Sequence, residues 1–184
     1  NDYLVINKNT QERVVEHATL PTRDPNFWYI VGRVLADGWV CSPYIRRNTG
    51  KEELCTMLCC GKNKKDKLTE KLNLVAGLFW EAQETPTTYE WRSYNKDFYN
   101  FISVIGKGAP NKNIPSEWLD MPTGLVEQLL LGIVDGDGHV TNKGLTIVRS
   151  TSRALVYAIQ QMVLKVYNTG AKVYKVRDAG KMNI

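Results

Sequence analysis

The chain has 184 residues, 43% of them hydrophobic, and its 24 Lys and Arg against 19 Asp and Glu give a net charge of +5 and a pI near 9.0. This composition suits one cored domain and excludes a membrane-spanning chain, since no apolar run approaches the roughly 20 residues that a bilayer span requires. No charged-then-apolar leader opens the sequence, so a cytoplasmic setting (or a nuclear or organellar matrix) is expected, and the surplus of cations favours a polyanionic partner without proving one.

In chain order, Asp2-Tyr3-Leu4-Val5-Ile6 reads as a strand ending at Asn7-Lys8-Asn9. An apolar helix follows over Ile30 to Gly38 and stops at Asp37-Gly38. Trp39 to Arg47 and Glu52 to Cys60 read as strands across an Asn48-Thr49-Gly50 turn. Lys64 to Trp80 reads as an amphipathic helix with Leu68, Leu72, Val75 and Leu78-Phe79 on its apolar face. Thr87 to Tyr94 is a strand candidate, and Asp97 to Ile105 a helix with Phe98, Phe101 and Ile102 inward. After the basic segment Lys107 to Lys112, a second apolar helix over Leu130 to Gly138 stops at Asp137-Gly138.

The order then restarts: strands at His139 to Thr141 and Leu145 to Ser150 across Asn142-Lys143-Gly144, a helix near Ser152 to Tyr167 and a strand at Ala171 to Arg177. The pattern predicts an α/β (α+β) chain built from two similar halves, 23–122 and 123–184, after a leading segment 1–22, with an internal pseudo-twofold axis. The second half is expected to lack its last strand and helix. The cysteines, Cys41, Cys55, Cys59 and Cys60, show none of the spacings of a zinc site and read as reduced strand residues. His17 reads as a surface side chain, whereas His139 is either a strand start or a group near DNA or a metal-bound water.

The recurring stretch carries most of the chemistry. I-V-G-R-V-L-A-D-G and L-L-G-I-V-D-G-D-G place small residues four apart, Gly32 and Ala36 in one copy, Gly132 and Gly136 in the other. Such a stripe lies on one helix face and lets two backbones approach closely. Gly38 and Gly138 are expected to end their helices in the left-handed conformation. If the helices run side by side in the same sense, Asp37 and Asp137 meet at one end, among carbonyls of partial negative charge. Clustered acids either raise a carboxyl pKa or recruit a cation, and hard oxygen donors suit Mg²⁺. One such helix alone is usually a core helix followed by a turn; its duplication argues otherwise. A calcium loop starting at Asp135 fails, because Val140 and Thr146 stand where its Gly and bidentate Glu belong.

These paired stretches resemble the signature of the LAGLIDADG homing endonucleases, whose single-chain members carry it twice; the first copy departs from it at Leu35. The resemblance implies a duplicated fold with antiparallel DNA-binding saddles. It also implies a Mg²⁺ site, open to Ca²⁺ or Mn²⁺ as substitutes, on Asp37 and Asp137, with the carbonyls of Ala36 and Gly136 as added ligands. Staggered cuts leaving 3′ overhangs would follow. Lys112-Asn113-Ile114-Pro115 resembles the Lys-x-Ile-Pro segment of intein endonucleases, which makes Lys112 a candidate for steadying the scissile phosphate or attacking water; a solvated loop lysine is the other reading. The opening strand resembles the one leading into intein endonucleases, although neither a terminal nucleophile nor a closing His-Asn pair occurs in this stretch, so it is not expected to splice by itself.

The resemblance thus points to a site-specific double-strand DNA endonuclease, monomeric and away from membranes. Candidate DNA contacts are Arg46, Arg47, Lys51 and Arg92 in the first half and Lys143, Arg149, Lys172, Lys175 and Arg177 in the second, each alternatively a solvated surface cation. Strand residues on the open faces are expected to be polar or basic. The rival function is a non-cleaving nucleic-acid binder on the same scaffold: an intron maturase, a regulator or a degenerate endonuclease.

Overall fold

The computed structural model describes residues 2–6, 13–17, 19–75 and 77–175. Two central helices set the architecture. α1 (Pro25–Asp37) starts where the Asp24 carboxylate accepts from the Asn26 N–H at 2.8 Å and proline occupies the first turn, and it is buried from Phe27 through Leu35. α5 (Thr123–Asp137) begins after Pro122 and buries Leu125, Val126, Leu129, Leu130 and Ile133.

The pair touches backbone to backbone. A methyl group on Gly32 would stand 2.2 Å from the Leu129 oxygen, one on Gly132 2.1 Å from the Tyr29 oxygen, and one on Gly136 2.3 Å from the Ala36 methyl. Contacts of 32 with 129 and of 36 with 136 mean that the helices run in the same sense, as the small-residue spacing predicts.

Around this pair, β3 (Gly38–Val40), β6 (Thr56–Gly61), β8 (Thr88–Ser93) and β7 (Trp80–Glu84) form an antiparallel sheet in the order β3-β6-β8-β7. Leu58, Cys60 and Trp91 project from one face into a core shared with Phe27, Trp28, Phe98 and Phe101. α2 (Lys65–Leu74) and α3 (Lys96–Ile102) add Leu68, Leu72 and Ile102 to that core. β4 (Tyr44–Ile45) and β5 (Glu52–Glu53) continue the first hairpin beyond the sheet, and β1 (Asp2–Ile6) pairs with β2 (Arg13–His17).

The short α4 (Ser116–Leu119) brings Trp118 to stack on Phe101 with ring centroids 5.1 Å apart. In the second half, β9 (Gly138–Val140) and β10 (Thr146–Val148) form a two-stranded ribbon, and α6 (Arg153–Tyr167), capped by Ser152, packs Leu155, Ile159 and Met162 inward. No helix among the described residues is long and apolar enough to cross a membrane. The mixed α/β architecture is the one expected.

Four local expectations are corrected. The Lys64–Trp80 helix ends at Leu74, because Gly77 takes φ 84°, and the chain turns to make Trp80 the start of edge strand β7. The expected strand over 52–60 is two strands, β5 and β6, separated at Leu54-Cys55. Residues 171–175 form no strand, and the remainder of that expected strand lies outside the described residues. Gly38 and Gly138 end their helices with extended backbone, φ −108° and −89°, rather than left-handed. Glycine is required there by space: a methyl on Gly38 would stand 2.7 Å from the Val34 Cα, and one on Gly138 2.4 Å from the Val134 oxygen.

Candidate active site

Parallel helices of matched register deliver Asp37 and Asp137 to the same end of the pair. A methyl on Gly136 would lie 3.0 Å from Asp37 Oδ2, which puts the first carboxylate against the turn that carries the second. Burial, and after it the charge of Asp37, raises the Asp137 carboxyl above its ordinary value. Two crowded acids therefore meet with a repulsion that the nearby Arg33, Lys112 and Lys64 only partly offset, and hard carboxylate oxygens suit a divalent cation. Among the described residues no group of three or more His, Cys, Asp or Glu side chains gathers as a metal cage. Asp37 already accepts from Arg33 Nη2 at 2.7 Å through Oδ2, an i to i+4 ion pair.

Lys112 is buried, at 7% exposure, which overturns the solvated-loop reading. Its ammonium lies on the end of α1, donating to the carbonyls of Leu35 at 2.7 Å, Gly38 at 2.9 Å and Ala36 at 3.0 Å. Burial lowers its pKa against the opposing pull of Asp137 and Asp37. α5 has its own lysine, since Lys64 donates to the carbonyls of Asp135 at 2.7 Å and Gly136 at 3.1 Å. The Ala36 and Gly136 carbonyls, expected to face a cation, thus each accept from an ammonium as well.

Arg33, Lys64, Tyr29, Lys67 and Asp135 are absent from the sequence-based site. Arg33 is 1% exposed within α1, and its Nη1 has no hydrogen-bond partner. Asp135 accepts from the Tyr29 hydroxyl at 2.7 Å and pairs with Lys67 at 2.6 Å. Burial opposes its ionisation, but the Lys67 and Tyr29 hydrogen bonds prevail and hold the carboxyl below the usual range. These five residues, with Leu68, line a small cavity beside the acid pair. The Arg33–Asp37 spacing was a usable signal; for Lys64, one lysine in a run of them, none existed.

The candidate DNA cations lie on several elements. Arg46 pairs with Glu53 at 2.8 Å on the β4–β5 hairpin, whose turn leaves Arg47 and Lys51 exposed. Arg92 sits mid-sheet on β8, opposite Met57 and Trp80. Lys143 is exposed at the β9–β10 turn, Arg149 just after β10, and Lys172 and Lys175 beyond α6. Arg177 lies outside the described residues. His139 is exposed on β9.

No protein-family model and no curated protein matches the sequence. Among solved structures, the chain resembles I-DmoI in complex with DNA and Mn, with a TM-score of 0.55 at 11% identity over 76% of each chain. A structure from mesophilic variants of the homing endonuclease I-DmoI matches at 0.54 and 12% identity, over 76% of this chain and 75% of that one. I-DmoI with DNA and Ca matches at 0.50 and 12% identity, over 76% and 70%. The chain has the LAGLIDADG homing-endonuclease fold.

Proposed function

We propose that this chain is a site-specific double-strand DNA endonuclease, the homing part of an intein, acting as a monomer with two pseudo-symmetric halves that divide near residue 122. The observation that carries the reading is the meeting of Asp37 and Asp137 at one end of a tightly packed parallel helix pair. A binder has little need of two crowded acids.

Asp37 and Asp137 would hold Mg²⁺, with Ca²⁺ or Mn²⁺ as substitutes. When bound, the metal supplies polarisation of the scissile phosphate, activation of water and stabilisation of the departing oxygen. The chain's own residues prepare that chemistry. Arg33 fixes one oxygen of Asp37 and leaves the other available. Lys112 and Lys64 neutralise the negative ends of the two helices, so the dipoles add less to the repulsion between the acids. With its ammonium engaged by carbonyls, Lys112 acts as a positioning residue for Asp37 rather than as a phosphate ligand. Arg46, Arg47, Lys51, Arg92, Lys143, Arg149, Lys172, Lys175 and Arg177 remain the candidates for holding DNA.

Selection of cleaved duplexes from a randomised pool with Mg²⁺, followed by Asp37→Asn and Asp137→Asn variants, tests the proposal. Each variant should lose cutting while binding in Ca²⁺ stays nearly intact; undiminished cutting by either removes the assignment. If about eight phosphates are neutralised, the logarithm of affinity falls with log salt at a slope near −7.

The Arg33–Asp37 pair, which occupies one carboxylate oxygen of the site, favours a second reading, a binder that no longer cuts. Sequence-selective binding by the wild-type chain with no cleavage in Mg²⁺ or Mn²⁺ would establish it.

A further inference from the structure

The sheet register places Trp39, Met57, Arg92 and Trp80 in one row across all four strands. Directly paired residues share a face, and this row lies opposite Leu58 and Trp91, which point into the core. At about 4.8 Å per strand the row is ~14 Å long, on the scale of the roughly 12 Å major groove.

Contrary to the polar or basic face expected from the sequence, the row holds three apolar side chains and one cation. Trp39 and Trp80 are 41% and 55% exposed at its ends. Met57, between them, is 6% exposed although it does not belong to the core cluster, and the Cys55 sulfur lies 3.7 Å from its own. In the neighbouring row Cys59 faces Glu90, and the Cys59 thiol donates to the Asp37 carbonyl at 3.3 Å. The apolar row is therefore continuous with the acid pair, and the exposed Arg47 and Lys51 stand on the hairpin beyond it.

A surface made to grip phosphates needs lysines and arginines, whereas apolar side chains in a major groove have one natural counterpart among the bases, the 5-methyl group of thymine. We propose that the exposed tryptophans of this row, Trp39 and Trp80, read thymine methyl groups in one half of the DNA site, with Arg92 on a neighbouring guanine. Trp39 and Trp80 are then specificity residues, with the buried Met57 supporting the row between them, and the preferred half-site is rich in T next to G. The proposal rests on the endonuclease reading above.

The test uses the full chain and a duplex selected from a randomised pool by binding in Ca²⁺. Deoxyuridine replaces thymidine in each half separately, which deletes the methyl and keeps every hydrogen bond. The expected result is a loss of about fourfold in affinity per contacted methyl, from ~0.8 kcal/mol per buried carbon, confined to one half. Trp80→Ser, at an exposed position on the edge strand, should bind the thymidine and deoxyuridine duplexes with more nearly equal affinity. Selective binding that is indifferent to deoxyuridine, or a selected site without thymine in either half, overturns the methyl proposal alone. Absence of sequence-selective duplex binding overturns the endonuclease reading beneath it as well.

Discussion

Lys64 closes the helix that ends in Asp137 by donating its ammonium to the Asp135 carbonyl at 2.7 Å, as Lys112 closes the other by donating to Leu35 at the same distance. The two closures differ in burial, Lys112 being buried and Lys64 half-buried. Lys112→Met leaves several carbonyls without a donor and should lower stability by about 2–3 kcal/mol, while Lys64→Met should cost about 1 kcal/mol. Urea unfolding of the two variants measures both, and equal losses would contradict the ranking.

The helix seam tolerates no added carbon. Gly132→Ala would place its methyl 2.1 Å from the Tyr29 oxygen, a backbone atom that cannot move alone, so the helices must separate. The variant should lose at least about 2 kcal/mol or fail to fold. Gly124→Ala meets nothing within 4 Å on the same helix and should be neutral or gain about 0.5–1 kcal/mol. Thermal melts of both variants provide the comparison.

The two acids should respond oppositely to neutralisation. Asp37→Asn strips the buried Arg33 of its anion and should lower stability by about 1–3 kcal/mol. For Asp137, whose carboxyl is raised by burial and then by Asp37, stability present at low pH is lost as pH rises through the raised value. Asp137→Asn should therefore raise the urea midpoint at pH 7 and leave it unchanged at pH 3. A lower midpoint at pH 7 would contradict that sign.

Burial, with Cys41 beside it, pushes the Cys55 thiol up to about 12. At pH 8 the thiol therefore stays protonated and unreactive. Iodoacetamide should leave Cys55 unmodified in the native protein and alkylate it readily in urea, as peptide mass spectrometry would read directly. Native labelling at the unfolded rate would show that the strand end opens.

The helix pair was legible because its constraint is written locally: small residues every fourth position and an Asp-Gly stop, twice. The carboxylate pair followed from that geometry alone. The open sheet face was misjudged, because alternation along β6 and β8 tells which residues share a side but not that Met57 and Trp80 meet around Arg92. That fact resides in the register between strands. Gly38 was assigned correctly for the wrong reason, as crowding by Val34 cannot be read without the tertiary fold. Lys64 was invisible because its acceptors are carbonyls, which every residue has.

Lys112 also ties in a third direction, since its own carbonyl accepts from the Ser152 hydroxyl that caps α6. The segment carrying Lys112 is thus a strut anchored to both α1 and the start of α6, rather than a slack tether. Chimeras that exchange one half for that of a related protein must take their crossover outside this segment, or carry Lys112 and Ser152 together, for the recombined chain to keep its first motif in place.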